Sequence, residues 1–318
     1  MRMYRILTLF LIAGFVLSTS ACSYKRVKTV PDPKVNYTIE IEEGDVQLVV
    51  PCGKGFIYTT DLNELVIVDE NGDAIGHHSF DNTIIDVYSD GNGIIMIALD
   101  NAEVLNCSFD NNEFIVKDEY FFQDEIADIS YFDSYDSNNE MTYYVVLDDG
   151  KLYTYGKNLN CVIHEGVLED YYLYEPLELY SDIRIVYSHY AVSYDNKIID
   201  LKDNMVSEPL EEEIVDINSY FQTVIVTPES FYFLDSSEMS VLKKGEIDRG
   251  QFYCSNTGYM YVQNGEMYYT GLISGEPVGK SVPESNEQII DIPNGYDYCV
   301  IQYGIVCFSD DTIICYSL

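Results

Sequence analysis

Short apolar runs separated by polar turns dominate the chain and predict a structure made of β-strands. Residues 143–146 form one such run, a turn with two aspartates and a glycine follows at residues 148–150, and aromatic side chains alternate with others over residues 152–155. Short runs with this alternation are typical of half-buried strands. Beyond residue 21 no segment keeps a helical period, so the pattern predicts an all-β fold.

One motif recurs along the chain: an apolar residue, any residue, an aspartate and a second apolar residue. The units that carry it run from Asp45 to Asp291 and number seven, with a mean period of about 41 residues. Each unit offers four short strands, which is typical of a β-propeller blade. The sequence therefore predicts a seven-bladed β-propeller of four-stranded blades over residues 37–318. Clear copies of the motif occupy residues 84–87, 126–129, 214–217 and 289–292, and weaker copies lie at 45–46, 181–183 and 247–248.

A propeller is stable only when its ring closes, because an open ring exposes a sheet edge and an apolar face. Residues 37–41 alternate in polarity ahead of the first unit, and residues 313–316 form the last apolar run of the chain. We therefore expect these two segments to pair within one blade and to join the two ends of the domain.

The third unit resembles the repeat of the regulator of chromosome condensation family. The resemblance rests on residues 125–129 and on the stretch Asp-Asp-Gly-Lys-Leu-Tyr-Thr-Tyr-Gly-Lys-Asn at residues 148–158. The other six units keep the apolar skeleton and lack the glycines. The resemblance implies a seven-bladed propeller and leaves the function open, since exchange factors, secreted enzyme inhibitors and scaffolds all use this repeat. Propellers of the Tyr-Trp-Thr-Asp type and of the quinoprotein-like type remain alternatives.

The first 21 residues predict a secretory signal peptide. Arg2 and Arg5 precede an apolar stretch at residues 6–17, and small residues lead to Ala21 and Cys22. Small residues that end in Ala-Cys resemble a bacterial lipobox, although Thr19 stands where the family prefers leucine. We therefore expect Cys22 to carry a lipid, with ordinary cleavage and a free thiol as the alternative. Residues 22–36 then form a tether, and the propeller lies on the extracytoplasmic face of the membrane.

Charge excludes one class of partner. The chain has 17 basic and 54 acidic residues, a net charge of −37, and such an acidic protein repels nucleic-acid phosphates. Thirty tyrosines and no tryptophan favour sheet over helix. Apart from Cys22 the cysteines are odd in number and contain no close pair, so we interpret them as small buried apolar residues. They are Cys52, Cys107, Cys161, Cys254, Cys299, Cys307 and Cys315.

No catalytic or metal-binding arrangement is predicted from residue spacing. The four histidines lie in different units, at His77, His78, His164 and His189. Oxygen-bearing side chains at Asp69, Asn71 and Asp73 have the spacing of a calcium loop, but position twelve of such a loop is Phe80 here and the Asn-Gly pair favours a hairpin turn. We expect no catalytic residue, no metal site and no cofactor.

Two tyrosine-rich segments interrupt the repeat and are the predicted binding residues. The first choice is the connection into the fourth unit, and the second is the swollen connection between the first two strands of the third unit. Exposed tyrosine with polar neighbours is common in recognition surfaces. We expect the two segments to lie on opposite faces of the propeller. The first group is Tyr171, Tyr172 and Tyr174, and the second is Tyr131, Phe132 and Tyr135.

These features predict a monomeric, membrane-anchored lipoprotein that is not an enzyme and that binds a protein or an envelope glycan through its propeller. Acidic residues beside the first tyrosine group favour a basic partner. An inhibitor of an exported enzyme is one alternative, and a lyase or hydrolase that uses the propeller channel is the other. The channel enzyme requires carboxylates or histidines that converge at the starts of the innermost strands.

Overall fold

The computed structural model describes residues 34–89, 93–110, 113–133, 141–157, 163–164, 167–168, 172–219, 223–248, 252–254, 258–263, 266–271, 287–290, 295–301 and 304–317. The chain divides into Met1–Val30 and Pro31–Leu318, and every described residue belongs to the second unit. The predicted signal peptide, Cys22 and most of the predicted tether therefore lie outside the described residues. No helix in the described part is long and apolar enough to cross a membrane.

Six four-stranded antiparallel blades follow one another along the chain. Blade 1 comprises β2 (Val46–Cys52), β3 (Gly55–Thr60), β4 (Glu64–Val68) and β5 (Ala74–Ser79). Blade 2 comprises β6 (Ile84–Tyr88), β7 (Ile94–Leu99), β8 (Glu103–Asp110) and β9 (Glu113–Phe121). Blade 3 comprises β10 (Ile126–Asp133), β11 (Met141–Leu147), β12 (Leu152–Lys157) and β15 (Tyr172–Tyr180), with a small hairpin of β13 (Ile163–His164) and β14 (Val167–Leu168) between its last two strands.

The second half of the ring repeats the same order. Blade 4 comprises β16 (Ile183–Tyr187), β17 (Tyr190–Ser193), β18 (Ile198–Asp200) and β19 (Met205–Val206). Blade 5 comprises β20 (Asp216–Ser219), β21 (Thr223–Val226), β22 (Ser230–Asp235) and β23 (Ser240–Glu246). Blade 6 comprises β24 (Phe252–Cys254), β25 (Gly258–Gln263), β26 (Glu266–Gly271) and β27 (Glu287–Ile290). The first strand of each blade is its innermost strand, and the first strands of consecutive blades contact one another.

A closing sheet joins the two ends of the domain. It combines β28 (Asp297–Ile301), β29 (Gly304–Phe308) and β30 (Thr312–Ser317) with β1 (Lys34–Glu40), in the order β1-β30-β29-β28. Tyr37 pairs with Cys315 and Ile39 with Ile313, so the predicted pairing of the two terminal segments is confirmed. Tyr37 and Ile39 also pack on the core between this sheet and blade 1.

The prediction of seven consecutive blades is wrong. Six complete blades lie between Val46 and Ile290. Residues 289 and 290 belong to β27, the outermost strand of blade 6, where Ile289 pairs with Tyr268. Residues 289–292 have the composition of an innermost strand, but residues 289 and 290 lie in the outermost strand of blade 6. The remaining strands form the closing sheet with β1 rather than a further unit of the repeat.

The hydrophobic core consists of layers between neighbouring blades. Each layer joins the facing sides of two adjacent sheets: Ile57 and Leu65 of blade 1, for example, pack with Ile95 and Ile97 of blade 2. Burial of a side chain of this size contributes about 1.5–3 kcal/mol. Five cysteines lie buried in or beside these layers, as predicted: Cys52, Cys107, Cys299, Cys307 and Cys315. The side chains of Cys161 and Cys254 lie outside the described residues.

In blades 1 to 4 the tight turn between the second and third strands is hydrogen-bonded to the segment that follows the blade. In blade 3 the turn ends at Gly150, whose φ of +84° lies in the left-handed region, and its carbonyl accepts a hydrogen bond from the Ile183 N–H at 2.9 Å. Equivalent left-handed residues in other blades have the same role. The other pairs, with donor first, are Phe80 and Asn63, Phe122 and Ala102, and Leu210 and Asn196.

Candidate functional site

The innermost strands share a β-bulge near their starts. In blade 2 the register shifts between Ile84 and Asp86, so Ile85 is an extra residue without a partner on β7. The same shift occurs in blades 1, 3 and 4, at Gln47, Ala127 and Arg184. A bulge reverses the alternation of side chains. The residue before it is therefore buried, the bulge residue is exposed in blades 1 to 3 and half-buried in blade 4, and the residue after it is half-buried on the innermost strand.

Three aspartates follow the bulge or its equivalent, and their carboxylates bind the backbone. Asp128 Oδ1 accepts the N–H of Ile129 at 2.9 Å, and Asp128 Oδ2 accepts the N–H of Val186 at 2.7 Å. Val186 belongs to blade 4, so this carboxylate joins two blades. Asp86 likewise receives hydrogen bonds from Val87 in its own blade and from Ile129 in blade 3.

A second contact joins blades 3 and 4 two residues further along. The hydroxyl of Ser130 accepts the N–H of Ser188 at 2.7 Å. The free edge of β16 and the turn that follows it thus present two N–H groups, Val186 and Ser188, that would lack partners in an isolated sheet, and blade 3 satisfies both. An unsatisfied buried N–H costs about 1–3 kcal/mol, so these inter-blade clasps, Asp128–Val186 and Ser130–Ser188, stabilise the closed ring.

Asp216 in blade 5 remains within its own strand. Its carboxylate accepts the N–H of Ile217 at 2.7 Å and the side-chain amide of Asn218 at 2.8 Å. Asp86 and Asp216 both raise the pKa of Asp128 electrostatically. The three carboxylates come from different blades, and the charges of the other two act on Asp128.

Burial changes the acidity of these carboxylates. Each of these residues is half-buried, and burial raises the pKa of Asp86 and of Asp216 to about 6. Burial also raises the pKa of Asp128 well above its ordinary value, with the Asp86 carboxylate as a further cause and the Val186 hydrogen bond opposing it. The sequence motif identifies these aspartates, but it does not predict that their carboxylates join neighbouring blades.

The histidines with described side chains occupy packing positions. His77 lies 3.3 Å from Glu64 at the surface, and His78 contacts the rings of Phe80 and Phe114. His189 packs between Phe132 and Tyr190. Among the residues that the structure describes, no group of three or more His, Cys, Asp or Glu side chains is arranged to hold a metal ion.

The calcium-like segment is a hairpin turn between β4 and β5. Asp69 Oδ1 accepts the N–H groups of Asn71 and Asp73 at 2.8 and 3.0 Å, and Gly72 has a φ of +91°. The carboxylate is therefore engaged by the backbone, in agreement with the favoured interpretation of this segment.

One member of the second predicted group, Tyr131, is structural. Tyr131 is 1% exposed, and its hydroxyl donates to the carbonyl of Ile94 at 3.1 Å. Its ring contacts Tyr88 of blade 2 and Tyr143 of its own blade. Tyr131 is therefore part of the core between blades 2 and 3 and is not available at the surface, because the swollen connection begins only after β10 ends.

Other members of the two groups are placed differently. Phe132 is half-buried against His189, with the Lys202 ammonium 5.9 Å from its ring. Tyr174 is 76% exposed on β15. That segment is the outermost strand of blade 3 rather than a connection between units. Tyr172 is the first residue of the same strand, but its side chain is not among those that the structure describes. Tyr135 and Tyr171 lie outside the described residues.

The two groups lie at the same end of the propeller, and the prediction of opposite faces is wrong. In an antiparallel four-stranded blade the connection between the first and second strands and the connection between the third and fourth leave at one end. Phe132 near the end of β10 and Tyr172 at the start of β15 are therefore at the same end of blade 3. The error followed from taking β15 as a connection into blade 4.

The other end of the propeller, where each innermost strand begins, is strongly acidic. We call it the acidic face, and it consists of the connections between blades and the turns between second and third strands. The described connections of this face carry twenty acidic residues and two lysines, whereas those of the opposite end carry five acidic residues and two lysines. Both lysines form ion pairs within their own turns, Lys151 with Asp149 and Lys197 with Asp195.

A comparison with solved structures supports the propeller architecture. The chain is similar to the crystal structure of BamB from Moraxella catarrhalis, with a TM-score of 0.50 and 11% sequence identity over 90% of this chain and 100% of that chain. At this identity the likeness establishes the fold alone. No family model and no curated protein matches the chain. The resemblance of the third unit to the regulator of chromosome condensation repeat therefore has no support beyond the propeller architecture.

Because burial raises the pKa of the channel aspartates, we predict that the stability of the folded protein depends on pH. The pKa of Asp86 and Asp216 is higher in the folded chain than in the unfolded chain. Their contribution to stability is therefore fully present below pH about 4 and is lost as pH rises through about 6. We expect the combined Asp86→Asn and Asp216→Asn variant to flatten the dependence of the free energy of unfolding on pH between about 4 and 7, by on the order of 1–3 kcal/mol.

Urea unfolding at several pH values provides this measurement. The matched control is Asp149→Asn with Asp195→Asn, two surface carboxylates whose pKa is held low by hydrogen bonds from Lys151 and Lys197. This control should keep the wild-type slope in that pH range. An equal slope in wild type and in the channel variant would show that the channel carboxylates do not set the dependence.

Proposed function

We propose that the chain is a membrane-anchored, extracytoplasmic binding or scaffold module for a protein or an envelope glycan. A lipid on Cys22 and the tether at residues 22–36 hold the propeller at the membrane in this proposal. The acidic composition and the exposed aromatic residue Tyr174 on blade 3 support a surface-binding role.

The observation that carries the proposal is the use of the channel carboxylates. A channel enzyme needs acid or base groups that can reach a substrate. Asp128 instead accepts a hydrogen bond from the Val186 N–H of the neighbouring blade, Asp86 accepts the N–H of Val87 beside it, and Asp216 accepts hydrogen bonds from Ile217 and Asn218. These groups are positioned for structural work. The observation favours binding over the lyase or hydrolase alternative, whereas no described contact favours the inhibitor alternative.

The lipid anchor is tested by metabolic labelling with a tagged fatty acid. We expect the wild-type chain to carry the label and to sediment with membranes, because two or three acyl chains hold a protein firmly. Cys22→Ser should lose the label and enter the soluble fraction, while the neighbouring control Ser23→Ala should behave as wild type. Labelling of Cys22→Ser at the wild-type level would contradict the anchor.

The binding role is tested on the blade 3 tyrosines. We expect Tyr171→Ala, Tyr172→Ala and Tyr174→Ala together to abolish capture of a partner from envelope extract, because tyrosine supplies a large contact area with little loss of side-chain entropy. The melting temperature should change by less than about 4 °C, as for substitutions at exposed positions. Chemical cross-linking and mass spectrometry then identify the captured species.

The control for this experiment is Val206→Ser, which removes an exposed apolar side chain from the outermost strand of blade 4. It should retain capture. A large loss of stability in the tyrosine variant would show that these rings are core, and undiminished capture by a folded variant would place the binding surface elsewhere.

A further inference from the structure

Two apolar side chains stand exposed where the channel opens on the acidic face. Ile85 is 38% exposed and Val215 is 40% exposed, and both lie immediately before a channel aspartate. The bulge explains their exposure, because it turns the extra residue away from the core between blades. In blade 5 the Val215 N–H donates to the Val226 carbonyl, while Val226 also pairs with Asp216, so Val215 occupies the equivalent position. Ala127 of blade 3 lies between them in the ring and is also exposed.

Acidic side chains surround this apolar mouth at a fixed position. The residue before the first buried apolar side chain of the innermost strand is acidic and exposed in most blades. Thr83 is the exception, in blade 2. One cation of the mouth, Arg184, donates to Asn196 Oδ1 at 2.8 Å and lies within electrostatic reach of Glu213. We call these acids the mouth acids, and they are Asp45, Glu125, Asp182 and Glu213.

The direction of β1 separates this face from the point where the chain joins the propeller. β1 runs antiparallel to β30, and the Ile41 N–H just after it bonds to Asp311 in a turn of the acidic face. Lys34, at the start of β1, is therefore at the opposite end. An anionic membrane surface also repels a face of this charge. Both features favour a face that is presented to a partner rather than to the lipid.

We propose that the acidic face docks a lysine- or arginine-rich segment of a partner protein, with an apolar side chain of that segment seated on Ile85 and Val215 at the channel mouth. Charge complementarity attracts the basic segment to the acidic face. The exposed apolar residues add a short-range contact, which attraction between charges alone does not provide. The proposal goes beyond the proposed function, because it concerns a different surface from the blade 3 tyrosines and does not depend on a lipid at Cys22.

The test uses two synthetic peptides with the same number of lysines, one with leucine and one with serine between them, and the folded propeller with its full tether. We expect the lysine–leucine peptide to bind at least about tenfold more tightly than the lysine–serine peptide in fluorescence anisotropy. Raising NaCl from about 50 to about 300 mM should weaken its binding at least about tenfold, because salt screens exposed charges.

Matched variants locate the site. Ile85→Ser with Val215→Ser should remove the preference for leucine, and Glu125→Gln with Glu213→Gln should weaken both peptides while leaving the apolar mouth intact. Tyr174→Ala, at the other end of the propeller, should bind as wild type. If the serine variant does not fold, the glutamine variant still tests whether the peptides bind the acidic face.

Three results overturn the proposal. Equal binding of the two peptides shows attraction by charge alone, and unchanged binding by the folded serine and glutamine variants places the peptide elsewhere. Loss of binding in Tyr174→Ala alone assigns the basic partner to the tyrosine surface. None of these results affects the test of Cys22 or the capture experiment, so the failures of the two proposals are distinguishable.

Discussion

The hydrogen bond from the Val186 N–H to the Asp128 carboxylate is the interaction on which the ring depends most. A propeller places the free edge of every innermost strand against the channel, where exposed N–H groups weaken the sheet unless they find acceptors. Asp128 and Ser130 supply those acceptors from the preceding blade. The clasp joins two blades through backbone N–H groups at the innermost strand, and the apolar layers join blades through the facing sides of their sheets. Both kinds of contact stabilise the same arrangement of blades.

The clasp also determines what the two ends of the channel present. A bulge is needed to turn the aspartate toward the axis, and the same bulge directs the preceding residue out at the acidic face. Ile85 and Val215 are exposed for this reason. The acidic residues have two roles. The carboxylates of Asp128 and Asp69 accept hydrogen bonds from backbone N–H groups, whereas the mouth acids are exposed at the acidic face.

Much of the architecture could be predicted from sequence because turns and apolar runs recur at a nearly constant period. The pairing of residues 37–41 with the last strand followed from the need to close the ring. The blade count did not, since residues 289–292 carry the motif of an innermost strand but Ile289 and Ile290 lie in the outermost strand of blade 6. Local composition does not distinguish the two edges of a blade; only the pairing partner does.

The candidate site was less predictable for a related reason. Tyr131 and Tyr174 are both tyrosines beside an interruption of the repeat, yet one is buried and the other exposed. Their exposure depends on whether the strand has already ended and on whether a neighbouring blade covers it. The bulge shifts side chains by one position within the innermost strand, so a strict alternation assigns Ile85 and Asp86 to the wrong sides.

Amide hydrogen exchange at Val186 tests the central claim most directly. In the wild-type protein this N–H should be protected, because the Asp128 carboxylate accepts it inside the ring. Asp128→Ala should lower its protection by at least about tenfold, whereas Asp216→Ala, which removes a carboxylate that bonds within its own blade, should leave it unchanged. Undiminished protection of Val186 in the folded Asp128→Ala protein would contradict the account.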